Sequence, residues 1–263
     1  MAVETATLSN KTKGLIAFTL LVIISYLWLG APQHQPQSYH SFADTLSLFG
    51  LPNFFNVTSN IGFLIVGLMG MYYLHDNWQV KEKFKNPNEA IAFYVVFLGS
   101  VLLAFGSGFY HTAPDNITLM ADRFTMTVGF MGALSFIIIE RIDLKWGLKL
   151  MPILLVIGIA SVIYWITPEM LGGVGELKPY ILVQGLSLAL IFVIYFLYPP
   201  TYSHGKFILY ALGFYVLAKI LEVFDQIIYD TLGVGLSGHS LKHIASAVGV
   251  YYILKYIQQR KAL

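Results

Sequence analysis

The chain has 263 residues, 57% of them hydrophobic and 11% charged, and a mean hydropathy of +0.68. Those values lie outside the range of soluble domains and make the lipid bilayer the expected solvent. The net charge of +2 is carried by loop lysines and arginines and reflects membrane topology rather than nucleic-acid binding, and a chain without cysteine has no disulfide or thiol chemistry.

Taken in chain order, apolar runs long enough to cross about 30 Å of hydrocarbon fall at 14–30, 55–75, 90–110, 119–139, 149–166, 179–197, 206–228 and 239–257. No stretch alternates as the strands of an outer-membrane barrel do, and backbone groups in lipid must be satisfied internally, so a helical bundle is left. The expected fold is an all-α polytopic membrane bundle of eight spans: a seven-helix core at 55–257 plus one amino-terminal helix within 1–31. Residues 32–54 form an outer-side connection and 258–263 a short tail. The first span follows Lys11 and Lys13 and exceeds the length of a signal-peptide core, which favours a retained signal anchor.

Orientation follows the basic residues. Lys11, Lys13, Lys81, Lys83, Lys85, Arg141, Lys145, Lys149, Lys206, Lys255, Arg260 and Lys261 fall on one face, with Lys178 alone in a loop of the other. Both termini are therefore expected on the cytoplasmic side. Tyr72, Tyr73, Trp78, Trp146 and Trp165 sit near helix ends, as interfacial aromatics do. Gly62, Gly67, Gly70, Gly129 and Gly132 suit close helix contacts. The connection from Trp165 to Pro179 is a candidate lid, and Asn56-Val-Thr58 and Asn116-Ile-Thr118 match a glycosylation tripeptide that is common by chance.

The seven histidines separate by depth. His34, His40, His75 and His204 lie in loops and are expected to be solvated. His111 ends the third span on the outer side, and His239 and His243 open the last span on that side, four residues apart and so on one helical face. Three imidazoles at one depth suit a zinc site that keeps a fourth position open. A lone His-x-x-x-His is a weak signal, and the neighbours strengthen it. Ser107 shares a face with His111 at i and i+4, and Asp122 follows early in the next span. Ionisable groups inside spans are costly and tend to face the bundle interior. Lys219 and Glu222 read equally as a polar seam between helices or as part of a site, and Asp225 is a candidate to orient a ligand histidine through its second ring nitrogen.

The segment "FFNVTSNIGFLIVG" (Phe54 to Gly67), the Ser107-x-x-x-His111 spacing with Asp122 beyond it, and "GHSLKHIASAVGVYYI" (Gly238 to Ile253) resemble the alkaline ceramidase family. That family belongs to a wider superfamily of seven-helix membrane hydrolases that includes the adiponectin-receptor and haemolysin III proteins. The resemblance covers residues 50–257, and Asn56, Ser59 and Asn60 point to the ceramidase branch. It implies that His111, His239 and His243 bind Zn2+, that Ser107 lies beside the metal and that Asp122 handles protons. The implied reaction hydrolyses the N-acyl bond of ceramide, or of a related long-chain N-acyl membrane lipid, to fatty acid and amine by zinc-activated water. The site would face the non-cytoplasmic side of a plasma or inner membrane.

Two other readings use the same residues: a receptor-like or structural membrane protein with a metal clamp, and a lipid esterase. Eukaryotic members of the family also carry a calcium site of clustered acidic residues. Residues 31–54 offer Asp44 and Asn53 instead, so calcium lacks an acidic cluster here. Arg123, beside Asp122, is expected to stabilise that carboxylate's charge or to snorkel outward.

Overall fold

The computed structural model describes residues 9–263, so the first eight residues of the expected amino-terminal tail lie outside the described residues. Among the described residues the chain is helical without strands, its bridges being the isolated pairs Leu48 with Leu51 and Tyr202 with Ala262. The helices are α1 (Asn10–Leu29), α2 (Phe54–Thr58), α3 (Ile61–Asn77), α4 (Ala90–Thr112), α5 (Asn116–Arg141), α6 (Leu144–Met170), α7 (Lys178–Leu197), α8 (Lys206–Val223), α9 (Asp225–Leu232) and α10 (Gly238–Gln259). Large apolar side chains such as Phe18, Phe105, Val156 and Phe196 point outward and exposed. On a soluble protein such a surface would aggregate; on a multi-pass membrane protein it meets lipid.

Six helical segments are long and apolar enough to cross a membrane, or seven if α8 and α9 count as one span bent by 76°. Two of the eight expected spans depart from a plain apolar helix. The seventh breaks at Phe224, where α8 ends and α9 turns away. The eighth, α10, has 22 residues, yet His239, Ser240, Lys242, His243 and Ser246 dilute its apolar character, and Ser240, Lys242 and His243 bond polar partners within the protein.

Side-chain caps set where several helices begin. Asp115 accepts from Thr118 N at 2.7 Å ahead of α5, Asp143 accepts from Trp146 N at 2.8 Å ahead of α6, and Ser237 accepts from Ser240 N at 3.1 Å ahead of α10. Each satisfies a backbone donor that lipid or a packed interior would leave bare.

Within a bilayer the helices gain little from the hydrophobic effect and associate through close packing and polar contacts. Consecutive pairs α3 with α4, α4 with α5 and α5 with α6 pack side by side, α7 lies against α5, and α10 lies between α3 and α8. α4 and α5 approach closely, and a Cβ on Gly99 would fall 2.6 Å from Gly129 N. The three residues between these helices fold the chain straight back, so Ser107 and His111 on α4 come beside Asp122 on α5. The result is a ring of α3, α4, α5, α7, α8 and α10 in which α7 and α8 hardly touch, with α6 and α1 outside it. α1 leans on α7 through Thr12 to the Tyr198 hydroxyl (3.0 Å) and through Lys178 Nζ donating to Gly30 O (2.9 Å).

The end of the ring away from the histidines is closed by charge. Arg260 is fully buried, donates to Glu140 Oε2 at 2.9 Å and stacks 4.0 Å from the Tyr202 ring centre. Glu140 also accepts from the Tyr256 hydroxyl at 2.6 Å.

Candidate metal centre

The last turn of α4 supplies His111 and the first two turns of α10 supply His239 and His243. The first turn of α10 is held against the elbow between α8 and α9 by Gly238, where a Cβ would meet Leu221 O at 2.2 Å. The three imidazoles are buried, with ring centres 4.8, 5.0 and 4.9 Å apart. One ligand atom from each lies within 4.8 Å of the others.

Hydrogen bonding leaves these rings under-used. His111 has neither ring nitrogen partnered, although both are buried, and an orphaned buried polar group is costly unless something else satisfies it. His243 Nδ1–H donates to Ser59 Oγ at 2.9 Å, and the Ser59 hydroxyl donates on to Asn56 O at 3.2 Å. That chain fixes the tautomer and leaves Nε2 as a lone-pair donor, the outer support typical of a metal-bound histidine. Three neutral nitrogens suit zinc and other imidazole-favouring metals rather than magnesium or calcium, so the residues fit the metal their spacing implied.

Of the five expected site residues, the three histidines cluster, and Ser107 and Asp122 share a cavity lining with one of them, His243. Ser107 and Asp122 are both buried, with the hydroxyl against the carboxylate, and with His243 they line a cavity of about 360 Å³. The rest of that lining is largely apolar, including Leu103, Phe130, Leu188, Ile191, Leu212 and Ile253, and it runs down the inside of the ring. Lys219 and Glu222 do pair, and Lys242 joins them, its ammonium donating to Glu222 Oε1 at 2.7 Å and lying 3.0 Å from His239 Nε2.

Several expectations are corrected. Asp225 does not reach a histidine ring. Its carboxylate accepts from the backbone N–H groups of His239 (2.7 Å) and Ala43 (3.0 Å), because the helix break at Phe224 aims it at the start of α10. The loop histidines divide. His75 stays exposed beside Asp76, whereas His40 accepts from the Tyr110 hydroxyl at 2.8 Å and donates to Asn116 Oδ1 at 2.9 Å, and His34 bonds Gly175 O. The covering segment is 31–53 rather than the 165–179 connection. Phe42 lies 4.6 Å from the His111 ring and 4.4 Å from the His239 ring, and Asn53 donates to His111 O.

Asp44 is buried and accepts from the backbone N–H of Leu46 and Asn56, so its oxygens serve the chain itself. Asn56 accepts from the hydroxyls of Ser237 and Ser240 and is fully buried, and Asn116 lies between His40 and Glu169, so neither side chain stands free for a glycan. Arg123 does not snorkel, and its charge acts on Asp122 without a salt bridge within 4.0 Å. It is buried between Trp165 and Tyr180 and donates to Gln35.

Outside the spans, Glu176 accepts from Gln33 N at 2.9 Å and Lys178 N at 3.0 Å. Partial burial opposes its ionisation, but those N–H groups and the Lys178 ammonium win and hold its carboxyl below the ordinary value.

Sequence reasoning missed Lys242, Phe42, Ser59 as a histidine partner, and Gln35. Lys242 alone left a readable sign, a third polar residue one turn after His239 on a helix otherwise bound for lipid. The others depend on how a loop lies over a helix end. No protein-family model, no curated protein and no solved structure matches this chain, so the functional reading stands on the geometry of the site together with the sequence motifs.

Proposed function

We propose that this protein is an intramembrane zinc-dependent amidase that hydrolyses the N-acyl bond of ceramide or a related long-chain N-acyl lipid. The observation that carries the reading is a cluster of three buried imidazoles, one of which, His243, lines the same largely apolar cavity as Ser107 and Asp122. A purely structural zinc is usually closed by a fourth protein ligand, whereas three histidines leave a position for a reactant.

His111, His239 and His243 would hold the ion. Zinc there supplies Lewis acidity, polarising a carbonyl and lowering the pKa of water from about 15.7 to about 7. Asp122 takes the proton as water adds to the amide carbon and delivers it to the nitrogen as the C–N bond breaks, giving a fatty acid and an amine. Ser107 donates a hydrogen bond to the oxygen that gains charge, an effect of roughly 3 kcal/mol in comparable sites. The acyl chain lies along Leu103, Phe130, Leu188 and Ile253, in keeping with the apolar lining. The lysine and arginine distribution supports a site on the non-cytoplasmic side. A lipid ester would undergo the same steps.

One observation favours a second reading, a metal clamp without turnover: α4 and α10 touch little, yet His111 of one meets His239 and His243 of the other, so an ion would tie them. The deciding experiment is fatty-acid release from N-acyl lipids by detergent-purified protein, with metal content measured, for wild type and His243→Ala. Turnover with about one zinc per chain, both lost in the variant, supports the amidase. Bound zinc without turnover of any amide or ester supports the clamp.

A further inference from the structure

The polar end of the cavity contains a cation that amide hydrolysis as described leaves without a role. Arg123 lines the cavity and is only 6% exposed. Its guanidinium lies 4.1 Å from the Trp165 ring centre and 4.8 Å from that of Tyr180, and one arm, Nη2, donates to Gln35 Oε1. The other arm, Nη1, is buried with no partner. Among the described residues no carboxylate lies within 4.0 Å of this guanidinium.

The other cations of that end differ: Lys219 and Lys242 both pair with Glu222. An unpaired charge inside a helix bundle is costly, and aromatic faces offset only part of that cost. The chain nevertheless fixes Arg123 from three sides, with one donor nitrogen left over on a side chain that lines the cavity. A held guanidinium with a free N–H is a carboxylate receptor in need of a carboxylate.

We infer that the amine side of the substrate carries a carboxylate, so that the lipid is a long-chain N-acyl amino acid and Arg123 receives its acid group. The inference rests on the amidase reading and narrows its substrate. Asp122 and Arg123 are consecutive on α5, their side chains about 100° apart round the helix, and both line the cavity. With the amide at Ser107 and Asp122, only a substituent a few bonds from the nitrogen reaches Arg123, and an α-carboxylate meets that limit. The acyl tail takes the apolar part of the cavity. Water adds to the acyl carbon, the C–N bond breaks, the acid keeps the oxygen and the nitrogen takes the proton, giving a fatty acid and a free amino acid.

The test uses zinc-loaded, detergent-purified full-length protein with N-oleoylglycine and its neutral counterpart N-oleoylethanolamine. Wild type should favour N-oleoylglycine at least tenfold in kcat/KM. The ratio should fall to near one in Arg123→Gln and stay intermediate in Arg123→Lys, which keeps the charge and loses the fork. Equal or faster turnover of the neutral amide by wild type, or an unchanged ratio in Arg123→Gln, overturns the inference. Binding separates the two levels of the argument, because Trp165 lies under the guanidinium and tryptophan fluorescence reports ligands there. If no amide is hydrolysed, the amidase reading fails, and selective binding of N-oleoylglycine that Arg123→Gln abolishes still supports the carboxylate site. Equal binding of both lipids overturns it. Should Arg123→Gln not survive purification, the wild-type preference and the Arg123→Lys ratio decide.

Discussion

Both ends of the helix ring bury charge, and they do so differently. At the end closed by Arg260, each buried guanidinium has a carboxylate within 4.0 Å: Glu140 for Arg141, and Glu140 and Glu89 for Arg260. Tyr256 and Tyr202 donate their hydroxyls to those same carboxylates. At the other end His111 has no partner for either ring nitrogen, and Arg123 has no carboxylate and one free arm. A network whose charges are matched inside the chain locks helices, although Arg260 Nε and Nη2 and Arg141 Nε there also lack a hydrogen-bond partner; a buried cation with no carboxylate beside it, near an imidazole with both nitrogens unused, fits a place that takes a ligand. The contrast separates architecture from site without any appeal to relatives.

The comparison yields a graded set of expected outcomes. The largest effect is that of His243→Ala, which removes one of three ligands. Fatty-acid release and bound zinc should both vanish, read by product assay and elemental analysis, while the Arg260 end keeps the protein folded in detergent. Next, Asp122→Asn should retain zinc and lose about 10²–10⁴-fold in kcat, the range for a general acid–base group. Retained zinc with unaltered kcat would remove Asp122 from the chemistry. At the opposite end, Glu140→Gln leaves Arg260 without its nearest charge and should lower stability by about 3–5 kcal/mol, seen as a lower thermal midpoint with activity per folded molecule preserved.

Smaller still is the effect of Ser59→Ala, which removes the acceptor for His243 Nδ1–H. Zinc affinity should fall about 10–100-fold, measured by chelator competition. The smallest effect is a pH response in the loops. The Glu176 carboxyl is held low in the folded state, so its contribution is present above the ordinary carboxylate pKa of about 4.3 and is lost as pH falls through the lower folded value. Proteolysis of residues 31–36 should accelerate on acidification through that window and show no change between pH 6 and 8.

The helices that were easiest to read in advance are those whose surfaces face lipid. α3 through α7 follow the apolar runs because length and hydropathy are what a bilayer selects. The reading weakened where helices meet polar partners instead. α8 was expected to run on through Asp225, yet it stops at Val223, and α10 carries a polar face that no lipid-facing span would tolerate. The same division runs through the site. His111, His239, His243, Ser107 and Asp122 were legible because i, i+4 spacing and one shared membrane depth are properties of sequence. Lys242 and Phe42 were not, since their contacts join segments distant in the chain.

By itself, then, the sequence determined an all-helical membrane bundle and the three histidines that cluster in it. Periodicity and span length are local quantities that lipid enforces on every helix in turn. Only the tertiary structure decided that Asp225 caps a backbone instead of a histidine, that residues 31–53 cover the site, and that Arg123 is buried with a donor to spare. Those outcomes depend on loops crossing helix ends and on a break at Phe224, where many near-equal local conformations exist and packing chooses among them.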